Sequence, residues 1–267
     1  MRTIVLLDID GTLVDPDYKI NSSSIFGVIK KCESQGALFA LNSNRAIEDL
    51  LPIYDQFFLN GFIIGENGSF SLLPGQKMEQ YVDPEQINAL SAALPETLES
   101  SFSGSKFLRE DTISFLKAPT IKNSSTLFVV NKFRKYTLSI FVGSVAEGKF
   151  IKNITLAKEV SSAISQKIME LGLKLEVVVS PVFGNVLINP SGCSKSSTFE
   201  KIVKRDYSGY STVMISDDES DSMINSVENF YTLSNASEKI KRKASYVSKY
   251  QYTKGVEEIL QKKILGA

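Results

Sequence analysis

The chain has 267 residues, more than most single domains need, so it can bury one large core or two modest ones. Its 30 basic and 30 acidic side chains cancel, which excludes an overall field that would draw in nucleic acid or an anionic membrane surface. No histidine is present, which removes the usual general base, the commonest zinc ligand and every Ser-His or Cys-His nucleophile pair, leaving carboxylate and lysine chemistry.

The first apolar run, Thr3-Ile4-Val5-Leu6-Leu7, predicts a buried strand over 3–8 that ends in Asp8-Ile9-Asp10-Gly11-Thr12. That run is too short to span a bilayer or to act as a cleavable signal, so a soluble, cytoplasmic protein without a membrane partner is expected. Asn21 is placed to cap a helix whose apolar residues Ile25, Val28, Ile29 and Cys32 follow helical spacing, with Gly36 as its stop. Strand 37–41 follows, then a helix over 46–57 interrupted at Pro52, a short buried strand Phe62-Ile63-Ile64 and a turn at Glu66-Asn67-Gly68. This βαβαβ order predicts a parallel sheet.

The patterning changes between residues 82 and 188. A helix over 84–98 leads into strand-like runs at 105–117, 126–133 and 136–143, and a helix over 154–171 precedes strands at 174–180 and 184–189. Such a sequence predicts a separate α+β unit of antiparallel hairpins covered by helices on one face. Alternation then resumes with helix 196–204, strand 212–216, helix 221–227, strand 231–233, a helix opened by the capping box at Asn235-Ala236-Ser237-Glu238, and an amphipathic helix over 254–265. The expected fold class is therefore α/β: a Rossmann-like parallel-sheet core formed by 1–81 and 189–267, with an inserted α+β domain over 82–188.

Asp217-Asp218-Glu219-Ser220-Asp221 follows the apolar strand Thr212-Val213-Met214-Ile215, so in a parallel sheet it shares an edge with Asp8 and Asp10. Converging carboxylates raise one another's pKa unless a cation neutralises them, and hard oxygen ligands handling phosphate favour Mg2+. The same acidic run matches several positions of a calcium loop, but Ser222 stands where that loop needs glycine and a strand precedes it instead of a helix. Cys32 and Cys193 are too few and too far apart for a disulfide framework or a zinc site. Neither is followed by the arginine of a cysteine-based phosphatase loop. Gly192-Cys193-Ser194-Lys195-Ser196 is similar to the end of a nucleotide-binding loop but lacks the earlier glycine.

Four motifs in order resemble those of the haloacid dehalogenase superfamily phosphatases, in the group with a large α/β cap between the second and third motifs. Asp8-Ile9-Asp10-Gly11-Thr12-Leu13 is similar to the first and Leu41-Asn42-Ser43-Asn44-Arg45 to the second. Ile188-Asn189-Pro190-Ser191-Gly192-Cys193-Ser194-Lys195 is similar to the third and the acidic run at Asp217 to the fourth, with Ser216 and Ser220 standing where the family usually has Gly and Asn. The resemblance implies a Mg2+-dependent phosphomonoester hydrolase acting on a small phosphorylated metabolite, a sugar or sugar-acid phosphate. It implies that Asp8 is the nucleophile and Asp10 the acid and base. Ser43, Lys195 and the N–H groups at Gly11 and Asn44 would bind the phosphoryl oxygens. Mg2+ would sit between the Asp8 and Asp217 carboxylates and the Asp10 carbonyl, with its waters held by Asp221. A phosphomutase on the same scaffold and a non-catalytic ligand-binding relative are the alternatives.

Overall fold

The computed structural model describes residues 2–180, 184–218 and 223–266. The chain divides into two compact units, Met1–Tyr81 with Cys193–Ala267, and Val82–Gly192. The first unit opens with β1 (Thr3–Leu7), α1 (Ile25–Ser34), β2 (Ala37–Asn42), α2 (Ile47–Gln56) and β3 (Ile63–Gly65), then passes a 3-10 turn at Glu66–Gly68 into the short strands β4 (Phe70–Leu72) and β5 (Glu79–Gln80). The second unit contains α3 (Glu85–Ser101), β6 (Lys106–Glu110), α4 (Thr112–Lys117), β7 (Ser124–Asn131), β8 (Leu138–Ala146), β9 (Lys149–Lys152), α5 (Ile154–Glu170), β10 (Leu175–Val179) and β11 (Asn185–Pro190). The first unit is completed by α6 (Lys195–Asp206), β12 (Ser211–Ile215), a 3-10 turn at Met223–Asn225, β13 (Asn229–Thr232), α7 (Glu238–Lys241), β14 (Tyr246–Val247) and α8 (Tyr252–Ile259), which runs on as a π-helical turn over Leu260–Ile264.

Among the described residues of the first unit, the strands form one sheet in the order β14-β13-β12-β1-β2-β3-β4-β5. Pairing is parallel from β14 to β3 and antiparallel only at β4 and β5. Ile4 to Leu7 of β1 have no exposed surface, as expected of a central strand covered on both faces. One face packs Ile4, Leu6, Ala40, Ile64 and Met214 against Phe199 and Ile202 of α6. The chain proceeds outward from β1 in one direction through β2 and β3 and in the other through β12 and β13, so the edge beyond β1 and β12 is a topological switch point.

In the second unit the strands run β10-β11-β8-β7-β6, with β9 paired to β8. Phe128, Val130, Ile140 and Val142 face α3 and α5 through Leu90, Leu94, Val160 and Ile164. Residues of the opposite parity, Leu127, Val129 and Val145, pack with Phe115 of α4, so helices cover both faces and not one alone. The apolar run at 105–117 is not one strand: Asp111 accepts the Ser114 N–H and starts α4 in mid-run. β6 also pairs with β7 in parallel.

Further differences from the sequence reading have local causes. Pro52 does not interrupt α2; it and Leu51 lie on the exposed side of the helix. Ser24, not Asn21, stands at the start of α1. β11 stays paired with β10 as far as Pro190, which carries the second unit on to Gly192. The described part of the helix expected over 221–227 is a 3-10 turn closed by the Ser226 N–H on the Met223 carbonyl, with β13 beginning three residues later. No helix among the described residues is long and apolar enough to cross a membrane.

Candidate active site

β1 and β12 run parallel with Leu7 opposite Ile215, so both acidic segments leave the sheet at the same edge. Past β1 the chain coils at once: Ile9 O accepts the N–H groups of Thr12 and Val14, and the Gly11 N–H donates to Val14 O at 3.0 Å. Gly11 has φ +79°, and a Cβ there would lie 2.2 Å from Asp217 Oδ2. Only glycine lets the two loops approach this closely. The Gly11 N–H is thereby used inside the loop and is not offered to a phosphoryl group, which corrects the expectation for that residue.

Asp8 is 8% exposed, with Lys195 Nζ 3.9 Å from Oδ1 and Ser216 Oγ 3.4 Å from Oδ2. Lys195 is the first residue of α6 and is itself buried. Ser194 caps that helix by accepting the Ser197 N–H, and Ser197 Oγ reciprocally accepts the Ser194 N–H. A buried ammonium beside a helix N-terminus is an anion-binding arrangement. It is held in place by the Glu66–Gly68 turn, whose residues have φ of 43°, 58° and 88°. Thr198 Oγ1 donates to Gly68 O at 2.7 Å, and a Cβ on Gly68 would meet Ser194 O at 2.3 Å.

Asp10 is bound by Arg45, whose Nε donates to Oδ2 at 3.0 Å and Nη2 to Oδ1 at 2.6 Å. Burial pulls the Arg45 guanidinium towards losing its proton, but Asp10, by charge and hydrogen bonds, with Asp49 and Tyr18 holds it above its ordinary value. The guanidinium also lies over the Tyr18 ring, and burial, reinforced by Asp10, pushes the Tyr18 hydroxyl up to about 12. Ser43 is buried at the end of β2 and accepts the Arg45 N–H on Oγ, leaving its hydroxyl proton to donate. None of the hydrogen bonds among the described residues engages the Asn44 N–H.

Asp217 receives the Thr12 hydroxyl on Oδ1 at 3.0 Å and Asn235 Nδ2 on Oδ2 at 3.4 Å, while its own N–H returns to Thr12 Oγ1. Asn235 Nδ2 also donates to Gly11 O at 2.8 Å, tying both loops together. Burial pushes the Asp217 carboxyl up to about 6; the Thr12 bond opposes this, and Asp218 and Asp10 add to it. Thr12 and Asn235 offer it neutral donors, and a divalent cation is the group that would relieve a half-buried carboxylate so placed. Among the described residues, no three acidic, cysteine or histidine side chains converge as a metal cage. The expected Mg2+ set uses two carboxylates, Asp8 and Asp217, and a backbone carbonyl. Asp221 lies outside the described residues.

Thr12 and Asn235 are site residues that the sequence reading did not assign. Thr12 sits inside the first motif, but Asn235 is adjacent to a capping signal that belongs to Ser237, which accepts the Ile240 N–H. A cavity of about 290 Å³ lies at the opposite ends of the strands, beside Thr3, Ala37, Ser211 and Asn229, away from all of these groups.

The profile of the haloacid dehalogenase-like hydrolases matches residues 5–260. The chain belongs to this family. It is 29% identical over 89 residues to a phosphoglycolate phosphatase of Thermoplasma volcanium, a match covering 33% of this chain and 39% of that protein. The chain is thus matched to about two-fifths of the length of that curated relative. Among solved structures, a haloacid dehalogenase-like hydrolase from Bacteroides thetaiotaomicron superposes with a TM-score of 0.71 at 19% identity, over 98% of this chain and 99% of that one. A subclass IIB sugar phosphatase superposes with a TM-score of 0.62 at 18% identity, over 99% of both chains. These likenesses establish the α/β fold with its inserted unit.

Proposed function

We propose that this hydrolase is a Mg2+-dependent phosphomonoesterase acting through an aspartyl-phosphate on a small phosphorylated metabolite, a sugar or sugar-acid phosphate. The observation that carries the reading is the pairing of Asp8 with Lys195 and of Asp10 with Arg45 beside Asp217 at one sheet edge. The phosphoglycolate phosphatase and sugar phosphatase relatives support the substrate class.

In the first step an Asp8 carboxylate oxygen attacks phosphorus in line and the bond from phosphorus to the ester oxygen breaks. Asp10 gives a proton to the departing alkoxide. Arg45 occupies one lone pair on each Asp10 oxygen, and each oxygen keeps another for proton transfer. In the second step Asp10 takes a proton from water, the water oxygen attacks phosphorus, and the Asp8 to phosphorus bond breaks to release phosphate. Lys195, the Ser43 hydroxyl and the Asn44 N–H face the charge that spreads over the phosphoryl oxygens. Mg2+, held by the Asp8 and Asp217 carboxylates and the Asp10 carbonyl, would offset the repulsion between substrate and nucleophile.

Phosphate release from a panel of phosphorylated sugars, sugar acids and phosphoglycolate, with and without Mg2+, tests the assignment. Asp8→Asn is expected to abolish release while leaving the fold intact. A wild-type protein inert towards the whole panel, or a fully active Asp8→Asn variant, would refute it.

A further inference from the structure

Asn42 ends β2 with no exposed surface, and among the described residues neither its Oδ1 nor its Nδ2 has a hydrogen-bond partner. A buried amide with neither group satisfied is rare in native proteins and is explained by a function more readily than by folding, since an apolar residue of that shape would fold better. Its position is informative. β1 pairs with β2 up to Leu7 opposite Leu41, which makes Asp8 and Asn42 the next positions along, while on the other side Asn42 pairs with Ile64. Alternation puts Asn42 on the face of Ala40 and Ile64, the face that packs against α6, whose first residue is Lys195. The amide is thus set at the level of the Asp8 and Lys195 pair.

We propose that Asn42 is a positioning residue for that pair, an inference that rests on the phosphatase reading. Asp8 alternates between a carboxylate and an acyl phosphate, both anionic, and in both states the carboxyl oxygen turned away from phosphorus remains an acceptor. A neutral amide donor can bond that oxygen in either state. Unbonded at rest, Nδ2 donates to the Asp8 carboxyl oxygen turned away from phosphorus once the acyl phosphate forms, and Oδ1 accepts a proton of the Lys195 ammonium as that side chain swings towards the incoming phosphoryl group. Among the described residues no side-chain bond in the resting fold depends on the amide, so its removal separates stability from turnover.

The test compares wild type, Asn42→Leu and Asn42→Ser by thermal melting without ligand and by hydrolysis of p-nitrophenyl phosphate in Mg2+. The leucine variant is expected to melt no lower than wild type, with kcat reduced about tenfold or more and KM changed less than about threefold. The serine variant, which keeps a donor and an acceptor, is expected to recover part of that kcat. A leucine variant within about twofold of wild-type kcat overturns the proposal alone. So does one that melts lower or fails to fold, because the amide would then be supporting the resting structure, and so does a serine variant that recovers no turnover. An inert wild type overturns the phosphatase reading first and this proposal with it.

Discussion

Replacing Gly11 by alanine puts a Cβ 2.2 Å from Asp217 Oδ2 and 2.6 Å from its Cγ, far inside contact distance, and does so at φ +79°. The backbone conformation alone costs about 1–2 kcal/mol for a residue with a Cβ. Relief of the overlap requires the Asp217 carboxylate to move by more than an ångström on the scale of a normal contact, which breaks the 3.0 Å bond from Thr12. Loss of a hydrogen bond to a charged group costs about 1.5–3 kcal/mol, for a total of about 2.5–5 kcal/mol. Urea unfolding of the first unit measures this, in a cycle with Asp217→Ala. In the Asp217→Ala background the overlap disappears, and Gly11→Ala is expected to cost only the backbone portion, a coupling of about 2 kcal/mol. Equal costs in both backgrounds would refute the claim that Gly11 is required by the approach of Asp217.

The metal-free protein should also show the Asp217 titration. Burial raises its folded pKa from 3.8 to about 6, so the contribution is fully present below the unfolded value and is lost as pH rises through 6. Discounted for partial exposure, the loss between pH 4 and 6 is about 1 kcal/mol, and melting in EDTA should reveal a pH dependence that Asp217→Asn removes. Identical profiles for the two proteins would count against the shift. Stabilisation by Mg2+ should grow over the same interval as the carboxylate ionises. Arg45→Lys keeps the charge but loses the two-pronged hold on Asp10, and kcat should fall about tenfold or more with little change in KM; an unaltered kcat would show that Asp10 needs no orientation.

The acidic motifs were legible because a strand ending in acids has a strong local pattern, and so was the alternation that places Asp8 and Asp217 at one edge. The second unit was less legible at 105–117, where a cap at Asp111 turns an apolar run into strand and helix, a choice decided by packing Phe115 on the far face of the sheet. β4, β5 and β14 carry no clear sequence signal, being two or three residues long and held only by their neighbours. The end of α8 lies within the helix expected over 254–265, but its π-helical winding has no sequence signal.

Sequence by itself determined the chemistry on offer: no histidine, two acidic strand ends, a hydroxyl, a lysine and a parallel core to bring them together. Which groups touch was decided by tertiary structure. Arg45 grips Asp10, Thr12 and Asn235 hold Asp217, the Gly11 N–H is drawn into its own loop, and Gly68 braces the helix carrying Lys195. Each of these depends on distances of a few ångströms between segments as many as 224 residues apart, and strand periodicity specifies a face and an edge but not a contact of that length.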